Sequence, residues 1–341
     1  MNMPSKPVKI AINGFGRIGR AAYKIIQDRD NLDVVAINDL TEPETLVHLL
    51  KYDTAYGRYE HNVSIKDGFL VNNEKKAKLI SEKDPSKLPW KELGIDVVLE
   101  CTGRFVKDGA SKAHIEAGAN AVVVSAPTKG EGDIKTYLKG VNEAEYKGED
   151  VISNASCTTN SIAPAISIIH SAIGVKKAGL TTIHATTSTQ NLVDGPHKDL
   201  RRARAAGYNI IPTTTGAAVA TTKTIPDLEG KFAGLAIRVP VIVGSLSDIT
   251  MLVEKPTTVK EINGLYIKAK ENPIYKNVLD TTDEPLVSSD IIKSPYSAVI
   301  DLTMTRVIDG DLVKVLAWYD NEWGYSHRLV DMAQLLGSPI I

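Results

Sequence analysis

The sequence predicts an α/β protein in which a helix-covered parallel sheet is followed by an α+β region with a large mixed or antiparallel sheet. Short apolar segments alternate with segments of helical periodicity in the first 155 residues, which indicates βαβ units. After about residue 155 the strand-like segments are longer and partly alternate apolar with polar residues, as antiparallel strands do. A chain of 341 residues is long enough for two domains.

The first half of the chain contains two such βαβ units. We predict strands over Val8–Asn13 and Leu32–Asn38, with a helix of about a dozen residues between them. Val97–Cys101, a helix over about 106–118 and Ala121–Ala126 repeat the pattern. Strands joined by helices form parallel sheets covered on both faces.

The second half changes character and contains a hairpin signal at Asp309-Gly310. We expect residues 1–155 and 156–320 to form separate domains, with residues 321–341 supplying a C-terminal helix. The predicted strands are Ala178–Thr187, Ala233–Pro240 and Ser247–Glu254, and the predicted helices are 161–173, 215–224, 259–270 and 322–336.

Composition excludes several classes of function. A net charge of −1 argues against a nucleic-acid partner, and the absence of any run near 18 apolar residues argues against a membrane protein. The first seven residues are polar, without a leader-like apolar stretch. Cys101 and Cys157 are too few for a disulfide framework and lack metal-ligand spacing, so we expect no metal and a reducing, cytoplasmic setting.

A glycine motif at the first strand predicts a Rossmann dinucleotide site. The pattern G-x-G-x-x-G follows a strand and opens a helix, and Asp39 ends the second strand, where a carboxylate can bind a ribose. The alternative is a glycine turn with a helix-capping aspartate. Asp39 repels a 2′-phosphate and favours NAD over NADP, whereas the nearby arginine weakens that preference. The predicted cofactor contacts in the motif are Gly14, Gly16, Arg17, Ile18 and Gly19.

Cys157 is the candidate nucleophile. It lies where a buried helix is predicted to begin, and free N–H groups and the helix dipole at such a position favour a thiolate. Ser156 and Thr158 flank it and, with those N–H groups, can hold an anion. His184 ends a strand among hydroxyl residues. Sequence alone leaves two interpretations of it open, a base that partners Cys157 or a structural strand histidine.

Two further segments carry candidate anion-binding residues. Arg238 interrupts an apolar strand and needs a partner, either a carboxylate or a bound phosphate. Thr213–Gly216 precedes a helix of small residues and is a plausible anion-binding helix start. The basic cluster around Arg202 is either a solvated face or a subunit contact.

Taken together, these motifs resemble the phosphorylating glyceraldehyde-3-phosphate dehydrogenases along almost the whole chain. The Cys157 string and the C-terminal Trp-Tyr-Asp-Asn-Glu-Trp string are the most specific. The matching strings are Asn13–Arg20, Ile37–Asp39, Ser125–Pro127, Ser153–Asn160, Asp199–Ala206, Asn209–Pro212, Arg238–Pro240 and Trp318–Tyr325.

The resemblance implies an NAD-dependent oxidation of glyceraldehyde 3-phosphate through a Cys157 thioester that inorganic phosphate cleaves, with His184 as the base. It also implies that the C-terminal helix returns to the cofactor domain and that a loop over about 186–210 lies in a homotetramer interface. The resemblance assigns Thr187, Thr189 and Arg238 to the substrate phosphate, Ser156, Thr158, Thr215, Gly216 and Arg202 to the attacking phosphate, and Lys83, Ser125 and Asn321 to the cofactor.

The chain departs from the usual pattern of this family in a few places. Thr186 stands where an aromatic residue is common, Val219 replaces a common lysine, and Ile242–Gly244 replaces a Pro/Asn turn. Ser161 and Cys101 invert the usual placement of the second cysteine. These departures bear on substrate affinity and interface detail. Two alternatives remain, a dehydrogenase of erythrose 4-phosphate that uses water, and a cofactor- or RNA-binding protein.

Overall fold

Two units account for residues 6–338, the part of the chain that the computed structural model describes. The first comprises residues 6–137, 144–155 and 326–338, and the second comprises residues 138–143 and 156–325. Among these residues, no helix has both the length and the apolar character needed to cross a bilayer.

The first unit contains the predicted strand–helix alternation. Its strands are β1 Val8–Asn13, β2 Leu32–Asn38, β3 Tyr52–Asp53, β4 Gly57–Arg58, β5 Val63–Lys66, β6 Phe69–Asn72, β7 Lys75–Ile80, β8 Val97–Glu100, β9 Ala121–Val124, β10 Lys135–Thr136 and β11 Val151–Ser153. Its helices are α1 Arg17–Gln27, α2 Pro43–Lys51, α3 Trp90–Leu93 and α4 Ala113–Glu116, with 3₁₀ turns at Pro85–Lys87 and Ala110–Lys112.

Nine of these strands form one sheet in the order β10-β11-β9-β8-β1-β2-β7-β6-β5 within the described residues. The seven strands from β10 to β7 pair in parallel, and β6 and β5 add an antiparallel edge. Strand β1 lies between β2, which follows it in the chain, and β8, which begins the other half of the sheet, so the strand order reverses direction at β1. The carboxyl end of β1 is therefore the switch point where such sheets bind ligands.

The second unit is built on a larger, mostly antiparallel sheet. Its helices are α5 Cys157–Ile173, α6 Ala217–Thr222 and α7 Val259–Lys270. Its strands are β12 Val175–His184, β13 Ile211–Thr214, β14 Phe232–Arg238, β15 Ser245–Val253, β16 Leu279–Thr282, β17 Ala298–Asp301, β18 Arg306–Ile308 and β19 Leu312–Tyr319. The 3₁₀ turns are Pro226–Leu228, Pro273–Tyr275, Ser288–Ile291 and Leu302–Met304 in this unit, and Glu143–Glu145 at the changeover between the units.

The strand order β13-β14-β12-β15-β19-β17-β16 places the four longest strands side by side, and β18 pairs with β19 through the predicted hairpin. Only β12–β14 and β16–β17 are parallel among the described pairs. Helix α5 covers one face, where Ile162, Ile166 and Ile169 join a core cluster with Ile249 and Val313. The mixed sheet confirms the predicted fold class.

One predicted helix is largely wrong. Residues 106–118 were expected to be helical, but only the short turns from Ala110 to Glu116 are. Gly109 adopts a left-handed φ of 73°, which stops a helix from running through it, and Lys107 instead forms a β-bridge with Lys129. The last helix, α8 Trp323–Gly337, belongs to the first unit from residue 326 onward.

Candidate active site

Cys157 is the first residue of α5. The N-cap Ser156 accepts a hydrogen bond from the Thr159 N–H at 3.1 Å, so the helix begins immediately at the cysteine. The thiol is therefore held beside the free N–H groups of the first turn, as the sequence predicts. Cys157 is partly exposed, whereas Thr158 and the two residues after it are buried.

His184 faces this thiol from the end of β12. Its Nε2 lies 3.4 Å from Cys157 Sγ, and its Nδ1 lies 2.7 Å from the carbonyl oxygen of Ala185. With the proton on Nδ1, the imidazole donates to that carbonyl and presents the Nε2 lone pair to the thiol; with the proton on Nε2, it donates toward the thiol instead. Because the two side chains lie within hydrogen-bond distance, the geometry suits a nucleophile and its base.

Arg238 lies next to His184 because β12 and β14 pair in parallel with these two residues in register. Its Nη1 is 2.8 Å from His184 Nδ1 and 3.0 Å from the Ala185 carbonyl oxygen. Burial and this guanidinium lower the pKa of His184 to about 3. The imidazole is therefore neutral near pH 7.

The thiol has the opposite shift from the one predicted by its helix position alone. Burial raises the pKa of Cys157, and the lowering effects of Arg238 and of Thr158 only partly offset it. Both shifts favour the neutral forms, a thiol beside an uncharged imidazole. Proton transfer to His184 accordingly belongs to the reaction.

Tyr319 is a site residue that the sequence analysis missed. Its hydroxyl lies 3.0 Å from Thr158 Oγ1 and 2.8 Å from Thr182 Oγ1, joining the start of α5 to β12. Its ring meets the His184 ring edge to face at 6.1 Å between centroids. The residue is buried, and burial raises its pKa above the usual range. Its place in the Trp318–Tyr325 string was the available signal.

The residues assigned to the substrate phosphate lie together. Thr187 Oγ1 is 2.8 Å from Thr189 Oγ1, and Arg238 Nη1 donates to Thr187 Oγ1 at 3.4 Å. Gln190 Oε1 accepts from the Thr187 N–H at 3.2 Å. Among the described residues, Arg238 Nε and Gln190 Nε2 are buried without a hydrogen-bond acceptor. Two unsatisfied donors beside two hydroxyls suit an anion.

The residues assigned to the attacking phosphate lie at the starts of two packed helices. Gly216 is the N-cap of α6, and Thr215 Oγ1 accepts from the Ala217 N–H at 3.2 Å. No hydrogen bond of the described chain joins Ser156 or Thr158 to this second helix start. Arg202 binds the preceding strand, donating from Nε to Thr213 Oγ1 at 3.0 Å and from Nη2 to the Thr214 carbonyl at 3.2 Å.

The first unit contains a separate cleft of ≈ 450 Å³ at the carboxyl end of β1. Gly14 has a φ of 92°, and a Cβ at Gly19 would overlap the Gly14 carbonyl oxygen, whereas a Cβ at Gly16 would meet open space. Such bare backbone lets a pyrophosphate approach closely. The lining residues are Asn13, Gly14, Gly16, Asn38, Asp39, Leu40, Thr41, Glu82, Lys83, Pro85, Cys101, Thr102, Arg104 and Phe105.

Asp39 is fixed at the edge of this cleft. Its Oδ2 accepts from the Phe15 N–H at 2.7 Å and its Oδ1 from the Thr41 N–H at 2.9 Å. Each oxygen keeps a further lone pair for a hydroxyl donor. The residues present therefore fit an adenosine ribose and pyrophosphate.

Four of the cofactor residues assigned in the first unit do not line the cleft. Arg17 forms an ion pair with Asp53 at 2.7 Å and is not among the residues that line the cleft. Ile18 and Gly19 lie within α1, and Ser125 lies beside Cys101. Their roles toward the cofactor stay predictions. No group of three or more potential metal ligands occurs within residues 6–338.

Asn321 lies just after β19 and is buried. Its Oδ1 accepts from the Gly244 N–H at 3.2 Å and from Ser245 Oγ at 2.9 Å. The cofactor residue inferred in the second unit is thus held by the segment that departs from the usual family pattern.

Comparison with known proteins agrees with this arrangement. Residues 8–108 match the NAD binding domain of glyceraldehyde 3-phosphate dehydrogenase, and residues 156–321 match its C-terminal domain. Proteins named glyceraldehyde-3-phosphate dehydrogenase from Thermotoga maritima and Geobacillus stearothermophilus are 52% and 49% identical. These alignments cover 96% and 97% of this chain and 98% of each relative. The resemblance seen in the sequence is confirmed: the chain belongs to the glyceraldehyde 3-phosphate dehydrogenase family.

Proposed function

We propose that this chain oxidises glyceraldehyde 3-phosphate with NAD and inorganic phosphate to give 1,3-bisphosphoglycerate. The observation that carries the proposal is the 3.4 Å approach of Cys157 Sγ to His184 Nε2 at the start of a helix, in a member of this family. The thiol is the nucleophile and the imidazole is its base.

The first step joins the Cys157 sulfur to the aldehyde carbon. His184 Nε2 takes the thiol proton and returns it to the developing alkoxide, which gives a thiohemiacetal. His184 then removes the hydroxyl proton while the carbon loses its hydride. NAD, when bound, accepts that hydride. The product on the enzyme is a thioester, which retains the energy of the oxidation; a serine at position 157 would give a much less reactive ester.

Inorganic phosphate completes the reaction by attacking the thioester carbon. The C–S bond breaks, the acyl phosphate leaves, and the thiol is regenerated. The helix starts at Ser156 and Gly216 offer N–H groups and hydroxyls to this phosphate, in the roles assigned to Ser156, Thr158, Thr215 and Gly216. Arg202 adds positive charge beside Thr214.

Thr187, Thr189 and Arg238 hold the phosphate of the substrate itself. The buried, unsatisfied Nε of Arg238 supports this assignment, because a buried N–H donor left without an acceptor gains from an anion. A phosphate there also fixes the distance between the reacting carbon and Cys157.

The proposal extends to assembly and location. Five apolar side chains of the segment 186–210 are at least 72% exposed, and exposed apolar side chains in one segment favour a protein–protein interface. A homotetramer with this segment in an interface would bury these side chains. The two free thiols suit a cytoplasmic protein. The exposed side chains are Leu192, Val193, Leu200, Tyr208 and Ile210.

Domains over 1–155 and 156–320, with a C-terminal helix over 321–341, remain our proposed division.

The test is NADH production from glyceraldehyde 3-phosphate with and without inorganic phosphate. We expect steady production only when phosphate is present. A steady rate without phosphate, or a preference for erythrose 4-phosphate, would favour the water-using dehydrogenase instead. Full activity in Cys157→Ser would favour a protein whose main role is binding.

A further inference from the structure

Ser245 begins β15, the strand that lies between β12 and β19 in the sheet. It is 1% exposed and pairs in register with Tyr319. Its neighbours are therefore the end of the strand that carries the base His184 and the end of the strand that leads to Asn321. Its hydroxyl contacts both.

The hydrogen atoms at this hydroxyl can be assigned. The Ala185 N–H donates to Ser245 Oγ at 3.1 Å, so the serine oxygen is the acceptor in that bond. The single hydroxyl proton of Ser245 is then free to point to Asn321 Oδ1 at 2.9 Å. One buried hydroxyl thus joins the residue after the base to the side chain of Asn321.

A second donor fixes which way the Asn321 amide faces. The Gly244 N–H, which can only donate, lies 3.2 Å from the same oxygen. Turning the amide over would place its NH₂ group against this N–H, leaving two donors facing each other. Oδ1 is therefore anchored, and Nδ2 is left as an oriented donor.

The backbone conformation at Gly244 also helps to orient the Asn321 amide. Gly244 has a φ of 92°, and a Cβ there would overlap the Ser288 carbonyl oxygen. Only glycine therefore presents its N–H to Asn321 in this conformation. Three residues before Gly244, the Val241 carbonyl accepts from the N–H and the hydroxyl of Thr186 at 2.9 and 3.0 Å. Thr186, one departure from the family pattern, is thus bonded to the residue that immediately precedes the other departure at 242–244.

We propose that Ser245 is a positioning residue for cofactor binding, because its hydroxyl and the Gly244 N–H together hold Asn321 Oδ1 and leave Nδ2 as the donor toward the nicotinamide carboxamide oxygen. This inference rests on the proposed function only in taking Asn321 as the nicotinamide contact. Ser245 itself touches neither substrate nor cofactor. Its contribution passes through Asn321 and through the backbone at Ala185.

Binding of two ligands tests the proposal without turnover. NAD and ADP-ribose share the adenosine diphosphate and ribose parts, and only NAD carries the nicotinamide. In Ser245→Ala we expect the Kd for NAD to rise about five- to tenfold, the loss of roughly one hydrogen bond, while the Kd for ADP-ribose is unchanged. Isothermal titration on the full chain measures both. An equal change for the two ligands, or no change for either, would overturn the proposal.

Ser247→Ala is the matched control. Ser247 lies two residues further on the same strand, is also fully buried, and its Oγ contacts Ser161 Oγ at 3.3 Å. It should leave the NAD to ADP-ribose ratio as in the unaltered chain. A loss equal to that of Ser245→Ala would show that any buried hydroxyl on this strand matters, which contradicts the specific role.

A double-mutant cycle separates positioning from a general structural effect. If Ser245 acts through Asn321, adding Ser245→Ala to Asn321→Ala should weaken NAD binding no further. Additive losses would contradict the proposal. Should Ser245→Ala fail to fold, Ser245→Cys keeps the shape with a poorer donor and should lower NAD affinity selectively. Since these assays need no reaction, an inactive unaltered chain would refute the proposed function and leave this test decisive.

Discussion

The cleft of the first unit and the thiol site of the second are built in different ways. The cleft is lined by Gly14 and Gly16 after β1, by Asp39 after β2 and by residues that follow β7 and β8. The thiol site draws Cys157, His184 and Arg238 from a helix start and two paired strands. The cleft presents glycine backbone and the Asp39 carboxylate to a ligand, whereas the thiol site brings reactive side chains together. Substitutions in the first should therefore change affinity, and substitutions in the second should change turnover.

The largest expected effect is that of Cys157→Ser. We expect turnover to fall at least about 10³-fold, because loss of a nucleophile removes the covalent route, while the Kd for NAD stays the same. Steady-state assays and titration with NAD measure the two quantities. Cys101→Ser is the matched control: Cys101 lines the cleft of the first unit, so it should retain turnover. Equal turnover losses in both variants would break the contrast between the sites.

The next effect is that of His184→Asn. Loss of general base catalysis should lower kcat about 10²- to 10⁴-fold. The KM for NAD should stay the same. The exposed His48 of α2 supplies the control variant His48→Asn, which should behave like the unaltered chain. Near-normal kcat in His184→Asn would return His184 to the structural interpretation.

Asp39→Ala tests the other side of the comparison. Loss of a charged hydrogen-bond acceptor should weaken NAD binding about 10- to 100-fold with kcat little changed, and should reduce the preference for NAD over NADP. Titration with both cofactors measures this. Asp30→Ala, at an exposed carboxylate beyond α1, should alter neither. A fall in kcat with constant affinity in Asp39→Ala would contradict the division of roles.

The smallest effect concerns the pH dependence of the thiol. Arg238 lowers the pKa of Cys157, so Arg238→Leu should raise it. Less thiolate is then present at any pH below the midpoint, and alkylation of Cys157 by iodoacetamide should be slower, with its midpoint at higher pH. Arg204→Leu removes a surface cation paired with Asp194 and should leave the pH dependence of Cys157 alkylation unchanged. A shift to lower pH in Arg238→Leu would contradict the charge effect.

The same contrast explains what the sequence could predict. Strands β1 and β2 have the predicted bounds, because local apolar runs and glycine chemistry define them. The partnership of Cys157 with His184 depends on how the start of α5 packs against the end of β12, 27 residues away in sequence, and only the family resemblance indicated it in advance. Tyr319 was missed because its role arises from burial between Thr158 and Thr182. The raised pKa of Cys157 was missed because burial outweighs the helix start.

The central claim, a Cys157 thioester cleaved by phosphate, is tested most directly by mixing the enzyme with NAD and glyceraldehyde 3-phosphate in the absence of phosphate. The account predicts a burst of about one NADH per active site followed by a halt, with turnover resuming when phosphate is added. The burst should be absent in Cys157→Ser. Continuous NADH production without phosphate, or an equal burst in Cys157→Ser, would contradict the account.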